Sequence, residues 1–212
     1  MSEENTCCCG SAAESEQETC CCGGETPSSE TCCSDSSYSC SDDPYNGRKK
    51  TAIVDFLYLD LDTCDRCTGA DERVFKAVEA CKPILAACGY NLILNQVLVE
   101  DESLASRFDF YSSPTIRVNG IDICPSVEEN DCGCCSDISG TSVTCRLFPF
   151  NGTYYEVPPT DMIVSAIMKT VLSEAKVPAA GEYVLPENLK QFFEGKRAKE
   201  ASGSQAKSKC CC

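Results

Sequence analysis

Cys64 and Cys67, in the run Cys64-Asp65-Arg66-Cys67, follow directly on the apolar stretch 51–61 (TAIVDFLYLDL). A cysteine pair at this spacing, between a predicted strand and a predicted helix, can cycle between dithiol and disulfide. Cys64 is the expected attacking thiolate, because the N-terminal cysteine of such a pair is the more exposed. The free N–H groups of a helix start favour negative charge there. Arg66 adds a local stabilisation, Asp65 opposes it, and Cys67, one turn on, is the expected resolving thiol. The opposing reading makes the pair half of a structural metal site, or two inert buried thiols. Thr68 and Asp71 also resemble a capping box; a helix starting there would deprive Cys64 of most of the helix-end effect.

A second candidate site is Cys132-Gly133-Cys134-Cys135, flanked by Cys124 and Cys145. Clustered thiolates suit soft ions such as Cu(I), Zn(II), arsenite, As(III), or mercuric ion, Hg(II). The same thiols could relay a disulfide, or simply hold the loop by a local disulfide or a zinc ion. Further thiols stand at Cys7-Cys8-Cys9, at Cys20-Cys21-Cys22 and, at the far end, at Cys210-Cys211-Cys212. Adjacent thiols can chelate soft, low-coordination ions without a preformed fold, so these clusters are candidate capture sites. Low-complexity drift is the plainer account of them. Cys81 and Cys88, seven apart on a helical stripe, read as small core residues.

The rest of the composition narrows the chemistry. The 212 residues include 21 cysteines and no histidine, which excludes Ser-His-Asp and Cys-His nucleophile machinery, imidazole-bound zinc and proximal-His haem. Net charge is −15, so nucleic acid and anionic membrane surfaces are not expected partners. No stretch approaches the roughly 18–20 apolar residues that span a bilayer, and the acidic start Met1-Ser2-Glu3 does not read as a secretory leader. A cytoplasmic location is expected. There, so many cysteines point to redox or soft-ion work rather than to a disulfide framework.

Residues 1–50 are rich in Ser, Glu and Gly and poor in large apolar side chains, so they are expected to form a disordered acidic arm. The ordered domain is expected over 51–193, followed by a disordered tail, 194–212. Within the domain, 51–61 and 91–99 read as strands. Val74, Val78, Cys81 and Leu85 mark a helix that Pro83 should kink or shorten and Gly89 should end. A short helix is expected at 102–108 and a strand at 113–118. Asn119-Gly120 and Asn151-Gly152 read as hairpin turns. Helix 161–172 and a final amphipathic turn at 186–193 complete the series.

The order β, CxxC, α, β, α, β, β, α, with Ser113-Pro114-Thr115 opening the third strand and Asn119-Gly120 after it, resembles the thioredoxin-like family. More narrowly, 51–193 is similar to an uncharacterised prokaryotic thioredoxin-like family with a Cys-Asp-Arg-Cys-type motif. The resemblance implies an α/β fold: a thioredoxin-like mixed β-sheet flanked by helices, here with disordered Cys-rich arms. It also implies that Pro114 has a cis peptide bond and lies against the redox pair, aligning substrate or excluding metal. In that topology the Cys124–Cys145 loop returns to the end that carries Cys64 and Pro114. Thioredoxins carry Trp-Cys-Gly-Pro-Cys, whereas this chain has Asp-Arg between the cysteines and no Trp. The resulting expectation is a thiol–disulfide oxidoreductase acting on thiol-bound soft metal, metalloid or selenium species, or on a disulfide substrate, served by an unidentified reductant and needing no cofactor. The alternative is a binding protein that sequesters the ion without turnover.

Overall fold

The computed structural model describes residues 49–177 and 181–203. The terminal thiols Cys7, Cys8, Cys9, Cys20, Cys21, Cys22, Cys210, Cys211 and Cys212, and the expected disorder of the N-terminal arm, lie outside them. Strand β1 (Lys50–Tyr58) is followed by α1 (Asp65–Ala87), β2 (Tyr90–Leu98), α2 (Glu102–Arg107), β3 (Thr115–Val118) and β4 (Ile121–Asp122). Then come β5 (Glu128–Asp131), α3 (Gly133–Ser139), β6 (Thr144–Phe150), β7 (Thr153–Tyr155), α4 (Thr160–Leu172) and α5 (Glu187–Ala201). One mixed sheet has the order β2-β1-β3-β4, with β1 parallel to β2 and antiparallel to β3. A second, antiparallel sheet has the order β5-β6-β7. The fold is therefore the expected mixed α/β, with sheets flanked by helices. Among the described residues no helix is long and apolar enough to cross a membrane.

One face of β1 is covered along its length and the other at its carboxyl end. Ala52, Val54 and Phe56 join a core shared with α1 and α4, through Val74, Val78, Ile163 and Ile167. Leu57 and Leu59, on the other face, open a second core with Val99, Phe110, Leu189, Phe192 and Phe193. Asn119-Gly120 and Asn151-Gly152 both have positive φ at each position, 50° and 79° in each pair, the requirement of the tight hairpin turn read from the sequence. Asp101 caps α2 by accepting from the Leu104 N–H at 2.8 Å.

Four local expectations are corrected. Helix α1 is not shortened at Pro83 but runs on to Ala87, because Pro83 and Glu79, the residue whose carbonyl it frees, are exposed and water can reach that group. Thr68 does not cap the helix: its Oγ1 bonds the carbonyls of Leu61 and Cys64 from inside the first turn, so α1 starts at Asp65. Cys88 is not a core residue. It is the C-cap, past the last helical turn, and is exposed, whereas Cys81 is buried as expected. Finally, the expected tail from 194 begins as helix, since α5 continues to Ala201.

Arg146 ties the two sheets together from an almost fully buried position, 1% exposed. Its guanidinium pairs with Asp122 at 2.8 and 3.0 Å and donates to Thr115 Oγ1 at 2.9 Å. Its backbone N–H bonds Ser113 O at 2.8 Å.

Helix α5 packs on α3 at a point where only glycine fits. A Cβ on Gly195 would lie 2.4 Å from Ser139 O and 3.0 Å from Thr141 Cγ2. Gly→Ala inside a helix ordinarily gains up to about 1 kcal/mol. Here Gly195→Ala should instead destabilise the fold by about 1–3 kcal/mol through overpacking, lowering the midpoint of urea unfolding; a raised midpoint would contradict this packing.

Candidate thiol centre

The carboxyl end of β1 delivers Cys64. Asp60 accepts from the N–H groups of Thr63 at 2.6 Å and Cys64 at 3.1 Å, and from Thr63 Oγ1 at 2.8 Å. That carboxylate folds the turn between strand and helix and leaves Cys64 as the N-cap of α1. The other contributor is α3, whose N-cap is Cys132. The Cys132 N–H bonds Val143 O at 2.8 Å, and Ser136 Oγ accepts from the Val143 N–H at 2.9 Å. Asn188 of α5 brackets Thr144, accepting from its N–H at 3.0 Å and donating to its carbonyl at 2.8 Å. These bonds set α3 beside the start of β6, where Cys145 sits.

The sulfurs of Cys64, Cys132 and Cys135 all lie within 4.8 Å of one another, and all three residues are buried. Cys64 and Cys135 are 4.0 Å apart, and Cys145 Sγ is 3.3 Å from Cys135 Sγ. Cys134 is buried in the same apolar cluster but stands outside the three-sulfur group. Cys124 belongs to the other core, and burial pushes its thiol up to about 11. The loop of the second motif thus returns to Cys64, as the topology required.

The two thiols of the CxxC pair interact with each other and have different further neighbours. Cys67 faces Ser113, whose Oγ is 3.4 Å from its sulfur and also accepts from the Leu59 N–H at 3.2 Å. The Ser113–Pro114 peptide bond is cis. Cys64 is not solvent-facing, contrary to expectation: it is fully buried beneath the apolar cluster that includes Leu189, Phe192 and Phe193. Arg66 does not serve Cys64 either. Its guanidinium is taken up by Asn130 at 2.5 Å, Asp131 O at 2.9 Å and Glu156 at 2.5 Å, tying α1 to β5 and the segment after β7.

Sulfur is the main partner of sulfur in this enclosure. Contact with Cys132 pushes the thiols of Cys64, Cys135 and Cys145 up. Cys132 is held well below the usual thiol range by Cys135, Cys145 and Cys64. Cys67 is held down first by Cys64, then by Ser113 and the backbone of Asp60 and Leu59. Within the cluster the sulfurs thus shift one another in opposite directions, with Cys132 and Cys67 favoured as thiolates and Cys64, Cys135 and Cys145 as thiols.

The sequence reading missed that Cys132 and Cys135 are themselves a CxxC pair heading a helix, overlapping the tighter Cys-Gly-Cys-Cys run. Asp60 and Ser113 were also missed as positioning groups. The signals were present: a carboxylate three residues before Thr63, and the hydroxyl preceding Pro114.

Fold and site together define a mixed α/β domain enclosing a buried cluster of cysteine thiols. The chain belongs to the family described as Domain of unknown function (DUF2703), which matches residues 52–167, more than half its length. No curated protein and no solved structure matches it.

Burial should govern thiol reactivity. Peptide mapping after brief native alkylation is expected to find Cys88 modified at least tenfold faster than Cys64, Cys132, Cys135 and Cys145. Equal rates would mean that the enclosure does not exist in solution.

Proposed function

We propose that this domain binds a soft metal or metalloid ion through Cys64, Cys132 and Cys135. The observation that carries the reading is the three-thiol group itself, buried and within 4.8 Å. A Zn–S bond of about 2.3 Å sets tetrahedral ligands about 3.8 Å apart, close to the 4.0 Å between Cys64 and Cys135. Three thiolates also suit Cu(I), arsenite and mercuric ion. The apolar surround favours an ion over free thiolates, because an unpaired buried charge is costly.

Loading displaces protons. Cys64 and Cys135 are shifted above the usual thiol range and Cys132 below it, so binding must displace thiol protons. Apparent affinity should therefore rise with pH, by about tenfold per unit for each proton displaced. Calorimetry in buffers of different ionisation enthalpy counts the protons released. No release at the site would contradict its composition.

Thiol exchange is the second reading, supported by the strand order and the CxxC pair heading α1. In it the domain is a thioredoxin-like oxidoreductase acting on thiol-bound metal, metalloid or selenium species, with Cys64 exchanging, Cys67 resolving and an unidentified thiol reductant. The twelve cysteines of residues 1–50 and 210–212 would gather the ion and deliver it. Effective concentration favours such intramolecular transfer. A cytoplasmic setting suits both readings, since both need reduced thiols.

Native mass of the full chain loaded with zinc, Cu(I), arsenite or mercuric salts, with and without reductant, tests the ion reading. Cys64→Ser, Cys132→Ser and Cys135→Ser should each lower the stoichiometry by one ion, while Cys88→Ser leaves it unchanged. A stoichiometry indifferent to all four substitutions overturns it.

A further inference from the structure

Cys145 is not a member of the three-thiol group, yet its sulfur lies 3.3 Å from that of Cys135. Both residues are held by backbone. Cys145 is in register with Asn130 across β5 and β6, and Cys135 stands in the first turn of α3, whose Ser139 hydroxyl bonds its carbonyl at 3.0 Å. A disulfide needs about 2.05 Å between sulfurs, so modest side-chain rotation would join them. Cys135 is also 4.0 Å from Cys64. Two short sulfur–sulfur contacts thus connect Cys64 of the CxxC pair to Cys145 through Cys135.

We infer that Cys135 and Cys145 are a second redox couple, which receives the disulfide formed between Cys64 and Cys67. The first oxidation is by a small-molecule disulfide: Cys64 and Cys67 lose two electrons and two protons, and the oxidant leaves as two thiols. Cys135 then gives up its proton, and its sulfur attacks Cys64 Sγ. The S–S bond to Cys67 breaks, and the departing Cys67 thiolate is met by the Ser113 hydroxyl, 3.4 Å away. Cys145 next attacks Cys135 Sγ, expelling Cys64 as a thiolate. The protons lost by Cys135 and Cys145 end on Cys64 and Cys67, so the internal transfer is balanced and needs no further oxidant. Such relays proceed by thiolate attack through mixed disulfides, with rates set by access and by the leaving thiol.

The couple and the ion compete for one sulfur, because Cys135 belongs to both. This link rests on the ion reading above; the couple itself does not. An oxidised Cys135–Cys145 pair leaves two of the three thiols for the ion, and an ion in place occupies the relay's middle sulfur.

The test uses the full chain, reduced and ion-free, oxidised with hydroxyethyl disulfide, quenched in acid, alkylated and mapped by peptide mass spectrometry. The expected product has Cys135 linked to Cys145, with Cys64 and Cys67 alkylated. In Cys145→Ser the bond should stop at Cys64–Cys67 or Cys64–Cys135. Wild-type protein that accumulates Cys64–Cys67 while Cys135 and Cys145 remain alkylated overturns the couple, and that map decides even if the variant fails to fold. Preloading with cadmium should slow formation of the Cys135–Cys145 bond at least tenfold. An unchanged rate, with the bond formed, overturns competition with a bound ion and leaves the couple standing.

Discussion

Everything at this site follows from enclosing several thiols in one apolar space. Leu57, Leu59, Phe110, Leu189, Phe192 and Phe193 surround the sulfurs, and the guanidinium of Arg66, next to Cys67 in the chain, is turned to Glu156 and Asn130. A thiolate in such a place must be stabilised by hydrogen bonds or by an ion. In the ion-free protein the neighbouring S–H groups serve, with the Ser113 hydroxyl at one end. The arrangement is thus a set of mutually interacting sulfurs close enough together to hold a metal ion.

The elements that build this space come from distant parts of the chain. Asp60 folds the turn after β1, the segment before β3 brings Ser113, α3 brings two sulfurs and β6 a third, and α5 closes the outside. Arg146 joins the contributions: one residue links Asp122, Thr115 and Ser113 across both sheets. This explains why the charge is tolerated in the interior. Its hydrogen bonds are largely satisfied, and the carboxylate opposite retains some contact with solvent.

Much of the framework was legible because its signals are local. The β-branched and aromatic run of β1, the Asn-Gly turns and the apolar stripe of α4 each state their structure within a few residues. The order of elements then foretold that the second cysteine loop returns to Cys64. What escaped were consequences of packing. Helix α3 has seven residues, Gly-Cys-Cys-Ser-Asp-Ile-Ser, whose Gly, Ser and Asp favour turns when alone; it exists because α5 and β6 hold it. The burial of Cys64 was illegible for the same reason, since the covering Phe192 and Phe193 lie well over a hundred residues downstream. Arg66 was assigned to its sequence neighbour when its true partners come from the second sheet. The reach of a long side chain is a tertiary fact.

The contrast between β6 and α3 has a mechanical consequence. Cys145 is followed by a residue anchored at both backbone and side chain, so that wall of the enclosure is stiff. Cys132 and Cys135 ride on a short coil of backbone fastened through the Cys132 N–H, Ser136 and the glycine contact with α5. An atom entering the sulfur nest would meet fewer fixed points on the α3 side, with α5 packed behind it. The rate of passage would then be set by how tightly the last helix is seated, at a remove from the sulfurs themselves.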